Sequence, residues 1–150
     1  MKMNNIASIA GQDGKLIVEV LGYENPQASN VDDANWLAVL LSAVVGPFAG
    51  KFRVAFTAYD LLALYEKLKT VTMAFSGSVF FQSTEGNLSL EVKFASNGTA
   101  TLEGVIQPSA SYKASLHFRF EIDAGALAAA VKELSTLVEH FPARLETSVN

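Results

Sequence analysis

The residues with the most chemical potential crowd into one polar stretch, residues 23–37, which reads Tyr-Glu-Asn-Pro-Gln-Ala-Ser-Asn-Val-Asp-Asp-Ala-Asn-Trp-Leu. Its carboxylates Glu24, Asp32 and Asp33 are close enough in the chain for paired acid–base work. With the neighbouring Asn amides they could instead ligate a hard cation. The spacing favours neither. It lacks the Gly-centred alternation of oxygen ligands found in a calcium loop, and Asx turns and helix capping account for the same residue types. The stretch also holds the only tryptophan, Trp36. A Trp beside a polar loop either plugs the core, with its indole N–H on a loop oxygen, or anchors an interface. Tyr23, at the end of a strand-like run, has the same two roles open to it.

Other reactive chemistries find little support. There are two histidines, His117 on the outward face of a strand and His140 in the last turn of a helix, where a cation suits the dipole. Neither adjoins a nucleophile elbow, and no phosphate-cradling glycine loop or dinucleotide fingerprint is present. The absence of cysteine removes disulfides, zinc ribbons and thiol catalysis together. The sequence therefore predicts no catalytic residue, no cofactor and no metal, and the chain is expected not to be an enzyme.

Composition sets the outer limits. Half of the 150 residues are hydrophobic and 17% are charged, enough to bury a core in one domain spanning residues 1–150. The net charge is −4 and the Lys and Arg residues are scattered. Nucleic acid binding would call for a clustered basic stripe, so no nucleic acid partner is predicted. The negative sign suits a basic partner better. The N-terminus has no apolar core of the kind a signal peptide needs. The longest apolar run, residues 36–48, falls short of the roughly 20 residues required to span a bilayer. No membrane association and a cytoplasmic location are expected.

The elements that would position these residues follow from periodicity. Residues before Gly14 read as a loose or edge-paired start. Residues 15–21 alternate as a first strand and Gly22 ends it. Residues 36–45 suit either a helix capped by Asp32 or Asp33 or a strand covered on both sides. The Val44-Val45-Gly46-Pro47 close and the apolar residues on both period-2 faces favour a strand. Residues 51–56 alternate cleanly. Thr57 and Asp60 then approximate a capping box for a helix whose stripe is Leu61, Leu64, Tyr65, Leu68 and Val71. Strands follow at residues 78–82, 88–94, 99–107 and 111–122, the third opened by the turn Ser96-Asn97-Gly98. Asp123 caps a second helix carrying Leu127, Val131, Leu134 and Val138, stopped at Pro142. Phe52-Arg53-Val54-Ala55-Phe56-Thr57 is echoed 66 residues later by Phe118-Arg119-Phe120-Glu121-Ile122-Asp123, a possible strand–helix pseudo-repeat. The predicted class is α+β: a largely antiparallel sheet of about seven strands with two amphipathic helices on one face, in the order β-β-β-α-β-β-β-β-α.

Gly22-Tyr23-Glu24-Asn25-Pro26, Ser29 and Asp33-Ala34-Asn35-Trp36-Leu37 resemble the N-terminal signature of WapI-type immunity proteins. The likeness continues through Phe48-Ala49-Gly50, Leu64-Tyr65, Ser76-Gly77, Glu85-Gly86, the strand at residues 118–123 and Phe141-Pro142. The chain departs from the pattern at Asn87, where an aromatic is expected, and in the small residues Ala124-Gly125-Ala126. The resemblance implies a cytoplasmic protein that binds and neutralises the toxic C-terminal domain of a cell-contact toxin, a tRNA-cleaving nuclease in the namesake pair. On that footing Glu24, Asp32, Asp33 and Glu85 are expected to face a basic toxin surface, with Tyr23 or Trp36 as anchor. The competing expectation is a homo-oligomer, a homodimer for example, joined through Ala38, Leu40, Leu41 and Val44.

Overall fold

The computed structural model describes residues 5–108 and 113–145. Two four-stranded antiparallel sheets, each followed by a long helix, replace the expected single sheet. The first sheet has β1 (Ile6–Gly11), β2 (Gly14–Tyr23), β3 (Trp36–Val45) and β4 (Phe48–Thr57) in sequential order, with a one-turn helix α1 (Val31–Ala34) before β3. Helix α2 (Ala58–Ala74) leads to the second sheet, β5 (Ser78–Gln82), β6 (Leu88–Phe94), β7 (Thr99–Ile106) and β8 (Leu116–Asp123), and α3 (Ala124–His140) closes the order. The α+β class and the order of elements agree with the sequence. The eighth strand is β1, the segment that reads as a loose start; it pairs with β2 from Ile6↔Glu19 to Gly11↔Gly14.

The echo at a spacing of 66 residues corresponds to two copies of one arrangement, four antiparallel strands and then a capped helix. Thr57 and Asp123 are the two N-caps, and the first forms a full capping box with Asp60. Residues 36–45 are a strand because they sit centrally between β2 and β4, each pairing along its length. Leu37, Val39, Leu41 and Ala43 are buried on its inner face. Gly46 takes φ 55° at the first position of the two-residue turn into β4, a conformation that costs a glycine little. The strand expected at residues 111–122 begins only at Leu116. Its partner β7 ends at Ile106, so the ladder has nothing to pair with before Ile106↔Leu116. Ser111 and Tyr112 of that expectation lie outside the described residues.

Both sheets and both long helices contribute to one hydrophobic cluster. The helix stripes fall as the 3.6 period requires: Leu61, Leu64, Leu68 and Val71 are buried, as are Leu127 and Leu134, while Tyr65, Val131 and Val138 pack at the margin. The sheets meet where the β1–β2 hairpin crosses β8. A Cβ built on Gly14 would collide with the Phe120 ring, and one on Gly11 with the same ring and the Glu121 carbonyl. Gln12 N–H donates to that carbonyl at 2.7 Å, fastening the crossing. Gly14→Ala should therefore cost about 1–3 kcal/mol through overpacking. Gly50→Ala, at a strand position with nothing within 4 Å, should change stability far less. Urea denaturation of the two variants measures the contrast; equal midpoints would show that the crossing tolerates a methyl group.

Candidate functional site

The polar stretch is held from a distance. Residues 24–35 carry many backbone groups that no strand ladder satisfies; a few meet other backbone groups in turns, and side chains take several of the rest. Arg144 serves three of them. Its guanidinium donates to the carbonyls of Pro26 (3.1 Å), Asn25 (3.0 Å) and Ala34 (2.6 Å from Nη2, 3.1 Å from Nε). The same group lies over the Tyr23 ring, 3.7 Å from its centroid, in a cation–π contact. Asn35, buried at 2% exposure, locks the segment from the other side. Its Oδ1 accepts from Arg144 N–H at 2.6 Å, and its Nδ2 donates to the carbonyls of Val31 (3.0 Å) and Arg144 (3.1 Å).

Tyr23 completes the clamp. Its hydroxyl donates to the Pro142 carbonyl at 2.7 Å and its ring meets Phe141 edge-on. Burial pushes the phenol above its usual value of 10.0, with the nearby Arg144 charge pulling the other way. The predicted role of Tyr23 as an anchor therefore meets a ring already covered by Arg144 and Phe141.

The carboxylates separate into different jobs. Asn30, not Asp32 or Asp33, is the N-cap of α1: its Oδ1 accepts from Asp33 N–H and its Nδ2 donates to Asp33 Oδ2, both at 2.9 Å. The Asp33 carbonyl accepts from Asn25 Nδ2 at 3.1 Å. Glu24, Asp32 and Asp33 are all exposed, and Glu24 and Asp33 border an open depression of about 490 Å³. Among the described residues no group of three or more His, Asp or Glu side chains could hold a metal ion. The three acids thus form a solvated acidic surface on a braced loop.

Trp36 is half-buried and begins β3 on the face opposite Leu37, while its carbonyl accepts from Glu24 N–H at 2.9 Å. It is not the core plug that its position beside a loop suggests. No hydrogen bond reaches its indole among the described residues. Glu85 is exposed on the turn between β5 and β6, on a different element from the loop. A relay of neighbours connects the two: Trp36 pairs with Thr57, Thr57 caps Asp60, and the buried Asp60 Oδ1 accepts from Thr84 N–H (3.1 Å) and Thr84 Oγ1 (2.9 Å).

Of the apolar residues expected to drive self-association, Leu41 is in the core at 0% exposure and cannot reach a partner. Ala38, also buried, and the half-buried Leu40 lie on the outer face of β3 with the exposed Val44. His117 is exposed on the outer face of β8, in a shallow depression shared with Phe80, Glu91, Glu103 and Arg119. Arg119 pairs across the strands with Glu103 at 3.5 Å. His140 Nδ1 lies 3.1 Å from Asn5 Oδ1. Asn87, an unexpected residue for the pattern, donates to the carbonyls of Gln107 (2.8 Å) and Pro108 (3.3 Å), a local strand tie. Arg144 has no signal in its own neighbourhood: Ala34, which it bonds, lies 110 positions earlier in the chain.

The fold is a small α+β unit of two four-stranded antiparallel sheets and two long helices that carries a braced polar loop. No helix is long and apolar enough to cross a membrane among the described residues. A family model for WapI-like immunity proteins matches residues 7–142, and the chain belongs to that family. Solved structures share the architecture. A plant transcriptional regulator, PBF-2, aligns with a TM-score of 0.56 and 13% identity over 94% of this chain and 84% of its own. MRP1/MRP2 of Trypanosoma brucei aligns with a TM-score of 0.51 and 10% identity over 93% and 86%. At such identities the likeness concerns the fold alone. No curated protein matches the chain.

Two outcomes follow for the clamp. Arg144→Ala should destabilise the protein by about 1–3 kcal/mol, and Arg144→Lys should recover little, because one ammonium cannot replace a planar fork that serves three carbonyls. Denaturation curves, with Trp36 fluorescence reporting the loop, test this. For Tyr23, a phenol whose value is raised on folding contributes stability that is fully present below about 10 and is lost as pH rises through the folded value. The stability advantage of the natural protein over Tyr23→Phe should therefore shrink when urea unfolding is moved from neutral to strongly alkaline pH. A constant gap would show that the hydroxyl's environment does not favour its proton.

Proposed function

We propose that this chain is a cytoplasmic immunity protein that acts as one domain, without catalysis or cofactor. It binds the C-terminal, nuclease-type toxin domain of a cell-contact toxin and neutralises it. The observation that carries the reading is the family match over residues 7–142. The geometry supports a binding role through the loop: Glu24, Asp32 and Asp33 are exposed on a segment that Arg144 and Asn35 hold in place, so little ordering remains to be done on association. A nuclease domain is basic where it meets RNA, and a fixed acidic surface speeds encounter with it and rejects wrong partners. Trp36, half-buried and with no hydrogen bond to its indole among the described residues, is the aromatic anchor in this reading, and Glu85 adds a further acid on the β5–β6 turn. Tyr23 supports the loop from beneath.

The double variant Asp32→Lys, Asp33→Lys should slow association with a cognate toxin domain by about tenfold or more. Added salt should weaken the natural pair in the same way. Surface plasmon resonance at two ionic strengths, with growth protection of toxin-expressing cells, is the measurement. Unchanged association of the Lys variant would remove the acidic loop from the interface, and absence of any binding or protection would remove the immunity reading. The outer face of β3, with Val44 47% exposed, keeps a self-associating protein as the competing outcome. Light scattering that finds a constitutive oligomer without toxin binding would favour it.

A further inference from the structure

Three of the four strands at the sheet margins have their outer edges engaged. On β1, Ser8 N–H donates to Glu133 Oε1 of α3 at 2.9 Å. On β5, Lys67 of α2 donates to the Phe80 carbonyl. On β8, the Glu121 carbonyl accepts from Gln12 of the β1–β2 hairpin. The fourth, β4, is ten residues long and pairs only with β3.

The phase of β4 follows from the two-residue turn at Gly46-Pro47. Val45 and Phe48 are its closing pair, so Phe48, Gly50, Phe52, Val54 and Phe56 turn their backbone groups to β3. The N–H and C=O groups of Ala49, Lys51, Arg53 and Ala55 point away. Thr57 N–H, next in that series, is taken by Asp60 Oδ2 at 2.9 Å, and the Ala58 N–H by the Asn35 carbonyl. No hydrogen bond reaches the outward groups of the other four among the described residues. An open edge of this length is a template for another strand.

The two faces beside that edge differ in chemistry. On the inner face an apolar cleft of about 230 Å³ opens between the sheets, lined by Phe48, Phe52, Ile106 and Leu116 among others, with Phe48 65% exposed. On the outer face Lys51 and Arg53 are exposed and have no ion pair among the described residues. We propose that β4 is a strand-addition site that takes an extended partner segment of alternating apolar and acidic residues. The apolar side chains enter the cleft, the acidic ones lie beside Lys51 and Arg53, and the backbone pairs with Ala49, Lys51, Arg53 and Ala55. A second copy of this chain is the wrong occupant, because antiparallel self-pairing about Phe52 sets Lys51 of one copy against Arg53 of the other.

The site supplies a further contact surface for the partner of an immunity protein and to that extent rests on the reading above; its test does not need the toxin. The natural protein is titrated with a blocked, strand-length peptide alternating valine and glutamate, and with its valine–lysine counterpart, while amide resonances are followed by NMR. The expected result is that shifts and slowed exchange centre on β4, leave residues 24–35 unmoved, and are strongest for the glutamate peptide. Ala49→Pro with Ala55→Pro removes two outward donors without touching the β3 ladder, and should weaken binding by about tenfold or more. Lys51→Glu with Arg53→Glu should reverse the peptide preference without burying or exposing any apolar group, and circular dichroism confirms folding of both variants. Shifts elsewhere, equal affinity of the proline variant, or no preference between peptides would overturn the proposal. So would a dimer joined through β4. Toxin binding that survives the proline pair would exclude the edge from that complex while leaving the immunity reading intact.

Discussion

The crossing of the β1–β2 hairpin over β8 is the contact on which the two halves of the molecule depend. Both four-stranded sheets and both long helices bury side chains in one shared cluster, so each half completes the other's core. The sheets can approach only where side chains vanish, and Gly11 and Gly14 provide that place beneath Phe120. The backbone bond from Gln12 to Glu121 then fixes the relative position of the sheets with a directional contact in addition to packing.

The loop at residues 24–35 solves a second problem, that of ordering a polar segment with few ladder bonds. Ordering each residue costs about 1–2 kcal/mol of backbone entropy, which local turns alone offset poorly. A single guanidinium addressing the carbonyls of Asn25, Pro26 and Ala34 gathers the two ends of the loop at one point. Because the fork is planar and remains charged, it serves several acceptors without changing protonation state. Tyr23, its ring packed edge-on against Phe141, covers the guanidinium on one side, and Asn35 ties the Arg144 backbone from the other. The acidic side chains are left out of this network except for Asp33, whose carboxylate meets Asn30. Their charge is therefore displayed and not consumed internally.

What could be read in the residues divides along the range of the interactions. Strand and helix identities came through because they rest on local period and capping: Thr57 with Asp60, Asp123 at the second helix, and the alternation at Leu88–Phe94 all act within a few positions. The assignment of eight strands to two sheets was not legible, since alternation tells which face is buried and is silent on which neighbour pairs. β1 was weak in sequence because Ala7 and Ala10 offer little contrast between faces, although Ala7 and Ile9 are fully buried. The loop was visible as a polar passage, and the likeness of its residues to the immunity family was visible too. Its brace was not. Arg144 follows Pro142 in a segment with no periodicity, and only the fold brings it to Tyr23. The same limit left Trp36 open between core and interface, because its half-buried position on an outer face follows from the register Trp36↔Thr57 and not from its neighbours in the chain.

Charge and edge together separate the two surfaces in a way that composition hides. A net charge of −4 suggests a uniformly acidic molecule. In the fold the acids Glu24, Asp32 and Asp33 gather on the loop before β3, whereas Lys51 and Arg53 stand midway along β4, on the outer face of that strand. The two groups lie on different elements, so a partner meets them as distinct regions. A partner that engages both must therefore be bipolar: basic where it meets the loop, and acidic along any strand it lays beside β4. That requirement is more selective than either contact alone, because a simple polycation or polyanion satisfies only half of it.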